Sequence, residues 1–292
     1  MRNNDYTYIE NQVFNDQIIV NKKISIIIPF YRGADILENT LIGFINQTYP
    51  KELFEVIVSE DDTYGEAKSI IEKYSNHFNL SYVQRKRQGI CVGSTRNNGI
   101  INAKGEVIII IDFDMIPPPN YIYSHARWYH FSESVSVFGG RKFVDPKHIQ
   151  KKQIIDDFTS FYSLPDVNSV SNKNCSIDNR SAQMKYIKKH PFPFNCFHGC
   201  NISFLKKHAI EIGLFDVIFD TYFGFEDIDF GLKLWNIGNY IVYDKDTLCF
   251  HQENNITNID DRQLSSLRNL NILYKRAPEG FRLFRLFIGK QF

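Results

Sequence analysis

The sequence lacks the marks of several large protein classes. It has no excess of charge: 34 Lys and Arg stand against 33 Asp and Glu, a formal net charge of +1. There is therefore neither the basic field of a nucleic-acid binder nor an acidic tail. It has no long hydrophobic run. The longest apolar stretch is about half of what a bilayer-spanning helix needs, so no transmembrane helix is expected. The opening "MRNNDYTYIENQ" lacks the apolar core of a signal peptide, and the expected location is the cytoplasm. It has no zinc spacing. The five cysteines are Cys91, Cys175, Cys196, Cys200 and Cys249. Cys196 and Cys200 enclose "FHG", with His198, but no second ligand pair accompanies them. Reduced, partly buried thiols are the plainer expectation. There is no internal repeat.

What is present is a chain of 292 residues, 43% apolar, enough to build one large domain or two small ones. Residues 1–21 are polar and aperiodic and read as an arm that docks or frays. "ISIIIPF" (24–30), "FEVIVSE" (54–60), "LSYVQR" (80–85) and "EVIIII" (106–111) are short apolar runs of the kind found in buried parallel strands. Between them lie helical patterns. The first carries Ile36, Leu37, Thr40, Leu41, Phe44 and Ile45 at helical spacing, and the third, 92–105, is expected to close on Gly105. Three strand–helix alternations with short connections predict an α/β fold: a mostly parallel, Rossmann-like sheet flanked by helices. Ligands of such sheets sit beyond the carboxyl ends of the strands. That places Pro29–Arg32, Glu60–Asp62 and Asp112–Asp114 along one edge.

Further on, "SVSVFGG" (134–140) and "NYIVYD" (239–244) read as strands. Residues 141–195 read as a long irregular region, of the kind that is functional or disordered in a compact domain. "EDIDFGLKLWNIG" reads as an amphipathic helix closed by Gly238, and 260–275 as a helix capped by Asp260 or Asp261. The expected division is a 1–21 arm, a first part 22–140, a second part 141–258, and a 259–292 helical tail.

The chemistry concentrates in "IIIIDFDMIPPP" (108–119). Asp112 and Asp114 emerge from the most apolar strand, where the chain bends toward prolines and both can face one cavity. Unneutralised, the two carboxylates repel and one pKa rises. A hard divalent cation relieves this, and the same ion can hold a nucleotide diphosphate. A helix cap or loop hydrogen bond is the bland alternative for either residue.

Several ordered motifs resemble family 2 glycosyltransferases of the GT-A fold. They are "ISIIIPFYRGADILENTLIGFINQTYPKELFEVIVSEDD", "GSTRNNGIINAKGEVIIIIDFD", "HGCNISFLKK", "FDTYFGFEDIDFGLKLWNIG" and "FHQEN". The last three resemble the acceptor half of bacterial chondroitin-polymerase-type domains, which is similar in plan to galactosyltransferases. The resemblance implies that Asp114 and His251 ligate Mn²⁺ or Mg²⁺, with Asp112 beside the ribose and the metal's water shell. It implies a nucleotide pocket of Pro29, Tyr31, Glu60, Asp61 and Arg96, with Asp61 accepting from the uracil N3–H. "EDDT" departs from the usual "DDGS" there. It implies that Asn201 and the Gly199 backbone contact the donor sugar, that Phe223 and Phe225 stack on a sugar face, that Asp227 is the general base, and that Glu226 holds acceptor or donor. The implied activity is metal-dependent, inverting transfer from a UDP-sugar to a hydroxyl of a bacterial glycan. The alternatives are a retaining GT-A transferase acting on a peptide, a sugar nucleotidyltransferase, and a non-catalytic glycan-binding module. The tail "GFRLFRLFIGKQF" alternates cationic and bulky apolar residues. It reads either as a helix packed on the domain or as a peripheral membrane contact at the inner face of the plasma membrane.

Overall fold

The computed structural model describes residues 2–15, 19–165, 167, 178, 180–252 and 259–288. The first helix, α1 (Thr7–Asn15), corrects the expectation of an aperiodic arm. Its Ile9 and Val13 are buried, and Tyr6 just before it meets Trp128 edge-on at 5.8 Å. The apolar positions are sparse, and their docking partners lie more than a hundred residues away.

Strands β1 (Ile24–Phe30), β2 (Phe54–Glu60), β3 (Asn79–Gln84) and β4 (Val107–Ile111) alternate with α2 (Ala34–Ile42), α3 (Lys68–Tyr74) and α4 (Val92–Asn102). Every residue of β1, β2 and β4 is buried. Such runs of β-branched side chains suit strands covered on both faces. The chain continues through β5 (Met115–Ile116), α5 (Tyr121–Ala126), α6 (Trp128–Phe131), β6 (Val135–Phe138) and β7 (Arg141–Val144). Then come the short α7 (Lys151–Asp156) and α8 (Ser181–Met184), and β8 (Asn201–Leu205) with α9 (Lys206–Glu211). Last are α10 (Glu226–Asn236), β9 (Tyr240–Tyr243), β10 (Cys249–Gln252), α11 (Ile259–Arg276) and α12 (Glu279–Ile288).

The main sheet has the order β3-β2-β1-β4-β8-β6-β9. Its β1–β2, β2–β3, β1–β4 and β6–β9 ladders are parallel, whereas β8 runs antiparallel to β4 and β6. The expected mostly parallel sheet is therefore present, and the exits of β1, β2 and β4 share one edge. A second sheet, β5-β10-β7, sits across that edge. The region 141–195, expected to be irregular, supplies one of its strands, and part of the rest lies outside the described residues. One hydrophobic core runs from Tyr6 to Phe281, so the boundary at 140 divides the chain but not the packing.

Two terminal signals are corrected. Helix α4 ends at Asn102, before Gly105. A side chain at Gly105 would bring its Cβ within 2.5 Å of the Ser25 nitrogen, so glycine is required there for backbone approach and not as a cap. Helix α11 starts at Ile259, which puts Asp260 and Asp261 inside it, and its cap lies outside the described residues. In α12, Phe281 is fully buried against Phe192 and Phe194. The side chains from 284 onward, on which the membrane reading of the tail depends, lie outside the described residues. Among the described residues no helix is long and apolar enough to cross a membrane. Cys91, Cys196, Cys200 and Cys249 are buried, and Cys175 lies outside the described residues.

Candidate active site

Beyond Ile111 the chain turns at once. The Asp112 amide donates to the Cys200 carbonyl and the Met115 amide to the Asp112 carbonyl, both at 3.1 Å. The turn sends three side chains three ways. Asp112 Oδ1 lies 3.4 Å from Arg96 Nη2. Phe113 packs edge-on against Phe30 at 5.5 Å. Asp114 Oδ2 lies 3.5 Å from His251 Nε2. The two carboxylates share a neighbourhood but not a partner.

Strand register delivers His251. In the small sheet β10 runs antiparallel to β5 with His251 opposite Met115. The Gln252 amide donates to the Asp114 carbonyl at 2.8 Å. The imidazole also lies 5.0 Å from the Phe143 ring. Asp114 Oδ1 is buried and accepts no hydrogen bond among the described residues. Burial pushes this carboxyl up to about 6, with Arg141 opposing. An unmet buried carboxylate oxygen is costly unless a cation meets it. A carboxylate and a neutral imidazole form a donor pair suited to Mn²⁺, so these residues fit a metal. No three His, Cys, Asp or Glu among the described residues gather into a cage. An ion held here would take its other positions from water or substrate oxygens.

Arg96 of α4 is the hub. It is 3% exposed, and Nη1 donates to Glu226 Oε1 at 2.8 Å. A Cβ at Gly199 would fall 2.5 Å from the guanidinium carbon, so any larger residue there would push Arg96 out of place. The Gly199 amide instead donates to Asp227 Oδ2 at 3.0 Å, and Ile228 N–H donates to Asp227 Oδ1 at 2.8 Å. Glu226 and Asp227 open α10, where acidic side chains meet the positive end of the helix dipole. Glu226 is buried and Asp227 half-buried. Burial, then the neighbouring Asp227 charge, pushes the Glu226 carboxyl up against the pull of Arg96. Burial raises Asp112 likewise, with Arg96 opposing. One guanidinium thus faces three carboxylates from two chain segments.

The nucleotide residues divide. Pro29 is buried inside β1 opposite Ser59, so Tyr31 is the side chain that reaches the edge. Glu60 is 1% exposed. Its oxygens accept from Glu66 N–H at 2.9 Å, Ala67 N–H at 3.4 Å and the Tyr82 hydroxyl at 2.7 Å. It organises the loop into α3. Asp61 pairs with Arg85 and, at 3.3 Å, with Arg87. Burial raises its carboxyl, with Arg85 and Arg87 opposing. Arg87 also lies over the Tyr31 ring at 3.4 Å. Neither arginine was singled out from sequence, although "RKR" (85–87) follows β3 directly and so must exit at the ligand edge. Asn201 is a correction. It is fully buried. Its Nδ2 donates to Gly140 O at 3.2 Å and Thr247 O at 2.7 Å, while Oδ1 accepts from the Tyr121 hydroxyl and faces His125 Nε2 at 3.1 Å. Its amide is consumed inside the core and none of it is left for a sugar. Phe223 is 42% exposed, and Phe225, the residue before α10, has φ 71°.

Residues 25–209 match the family described as "Glycosyl transferase family 2". The chain belongs to that family. It is 31% identical to a hyaluronan synthase of Pasteurella multocida, over 89% of this chain and 28% of that one. It is 30% identical to a chondroitin synthase of Escherichia coli, over 91% of this chain and 40% of that one. The chain thus spans well under half the length of these synthases. Among solved structures, Staphylococcus aureus TarS in complex with UDP-GlcNAc superposes with TM-score 0.58 at 19% identity, covering 80% of this chain and 59% of that one. A Pyrobaculum calidifontis mannosyltransferase in complex with GDP-Man and Mn²⁺ superposes with TM-score 0.56 at 18% identity, covering 86% and 65%. At such identity these two show the fold, which is GT-A. The family and its relatives make the chain a glycosyltransferase.

Proposed function

We propose that the chain is a metal-dependent, inverting glycosyltransferase that moves a sugar from a UDP-sugar to a hydroxyl of a growing bacterial glycan. The observation that carries this reading is the convergence at one sheet edge. Asp114 turns Oδ2 to His251 and keeps an unmet Oδ1, while Arg96 ties the neighbouring Asp112 to Glu226, beside Asp227. The hyaluronan and chondroitin synthases among the relatives support a polysaccharide acceptor.

In this reading Asp227 takes the proton of the acceptor hydroxyl as that oxygen bonds to the sugar C1. The bond from C1 to the diphosphate breaks on the opposite face, and UDP leaves with the electron pair. A divalent cation bound by Asp114 and His251 would supply positive charge to the departing diphosphate. Arg96 holds Glu226 and Asp112 so that acceptor and donor sides keep a fixed separation. Tyr31, Asp61, Arg85 and Arg87 line the base and ribose side. The halves 22–140 and 141–258 divide donor from acceptor duties while sharing one core.

The test is calorimetric titration of UDP, with GDP alongside, with and without Mn²⁺, on wild type and Asp114→Ala. Manganese-dependent UDP binding that weakens at least about tenfold in the variant supports the reading. Binding indifferent to both metal and Asp114 removes the metal. Preference for GDP moves the donor class toward that of the Pyrobaculum structure.

A further inference from the structure

The loop from Asp216 to Phe225 carries the chain into Glu226 and Asp227. It is unusually strained: Thr221 and Phe225 have φ 82° and 71° without being glycine. Such conformations persist only where the surroundings impose them. Two elements hold them: the entry to α4, where Ile90 O accepts from Thr221 N–H and Ser94 bonds Asp220, and α11, which lies wholly beyond the matched family region, residues 25–209. Asn269 of α11 is fully buried. Its Nδ2 donates to the carbonyls of Phe219 at 2.8 Å, Tyr222 at 3.1 Å and Gly224 at 3.0 Å. An amide has two protons for these three acceptors, so one is shared. Two neighbours extend the grip. Arg268 donates to the Ile218 carbonyl at 3.0 Å and lies over the Tyr222 ring at 4.7 Å. Arg276 bridges Asp216 at 2.9 Å and Asp229 at 3.0 Å, one residue on each side of the loop.

Resting on the glycosyltransferase reading above, we infer that Asn269 is a positioning residue. It gathers the loop carbonyls from α11 and thereby sets where Asp227 stands relative to the acceptor. It touches no reacting atom. Its Nδ2 meets carbonyls only, whereas Oδ1 accepts from Arg268 Nη1 at 3.4 Å, so a carboxylate of the same size keeps the contact to Arg268 and loses all three to the loop.

The experiment compares wild type, Asn269→Asp and the milder Arg268→Ala by three readouts. These are UDP affinity with Mn²⁺, kcat and KM for the sugar donor that wild type turns over, and amide hydrogen exchange of the 217–228 and 92–102 segments. Asn269→Asp is expected to lower kcat at least tenfold while UDP affinity and donor KM stay within twofold. Exchange should quicken in 217–228 and stay unchanged in 92–102. Arg268→Ala should show the same split at smaller size. Unchanged kcat overturns the inference, and so does an equal loss of UDP affinity with faster exchange in both segments, which is general damage. If wild type turns over no sugar nucleotide, the glycosyltransferase reading falls, and exchange alone judges the loop: unchanged exchange in 217–228 overturns the positioning role as well.

Discussion

Two buried arginines, Arg96 and Arg180, behave oppositely. Arg180 closes on itself. Its Nε and Nη2 meet both oxygens of Asp178, at 2.9 and 2.6 Å, and its other contacts are the Cys196 and Gly139 carbonyls. Against the upward push of burial, Arg180 and then Arg141 hold the Asp178 carboxyl down to about 2. Arg96 is outnumbered. Asp112, Glu226 and Asp227 all act on it, and Glu226 and Asp112 are pushed up, not down. A buried carboxylate met by two cations, one of them making four hydrogen bonds, is an architectural joint. A buried excess of one charge sign costs stability and persists where a ligand supplies the missing charge. Burial does not separate them, since Asp112 is the more exposed carboxylate, 32% against 6% for Asp178, and is still the one pushed up; stoichiometry does.

The sharpest way to break this comparison lies on the open cluster. Asp227→Asn is expected to cut turnover by roughly 10²–10⁴-fold, the range of a lost general base, with UDP affinity retained. NMR of the wild-type product should show inverted configuration. A retained product, or an active Asn variant, removes the base role. The next effect concerns stability. Arg180→Ala strands a buried charge and should cost about 3–5 kcal/mol in denaturant unfolding. Arg96→Ala should cost less at pH 5, where Glu226 can take up a proton, and more at pH 8. Equal losses for both variants at both pH values would mean that charge count does not distinguish the clusters.

The smallest effect is a slope. The folded-state pKa of Glu226 lies above its ordinary value of 4.5. Between that value and the raised one, the unfolded chain has lost the proton and the folded chain keeps it. Stability therefore falls as pH rises through this window. Glu226→Gln should flatten that fall, measured as unfolding free energy against pH. An unaltered slope would show that Glu226 does not carry the strain of the cluster.

Much of the site was legible because its residues stand at strand exits. Asp61, Asp112, Asp114 and Tyr31 each follow a run of apolar β-branched residues, and a parallel sheet must bring such exits to one edge. Glu226 and Asp227 were legible as the start of an amphipathic helix. What misled was residue chemistry without direction. Asn201 stands near the site in sequence, but its side chain points into the core toward Tyr121 and His125. Gly105 sits where a cap belongs yet serves the approach of β1. Asn269 lies in a polar helix tail and carries no mark in sequence of the three carbonyls it meets.

The sequence by itself determined the alternation of buried strands and helices, the shared edge, and which carboxylates stand there, because periodicity and β-branched runs are local. The tertiary structure alone decided that His251 faces Asp114, that Arg96 joins the Asp112 turn to the Glu226 helix, and that α11 holds the loop before Asp227. Those contacts join segments separated by between 16 and 137 residues. They are set by strand register and helix packing, which depend on every element being in place and leave no periodic trace in the chain.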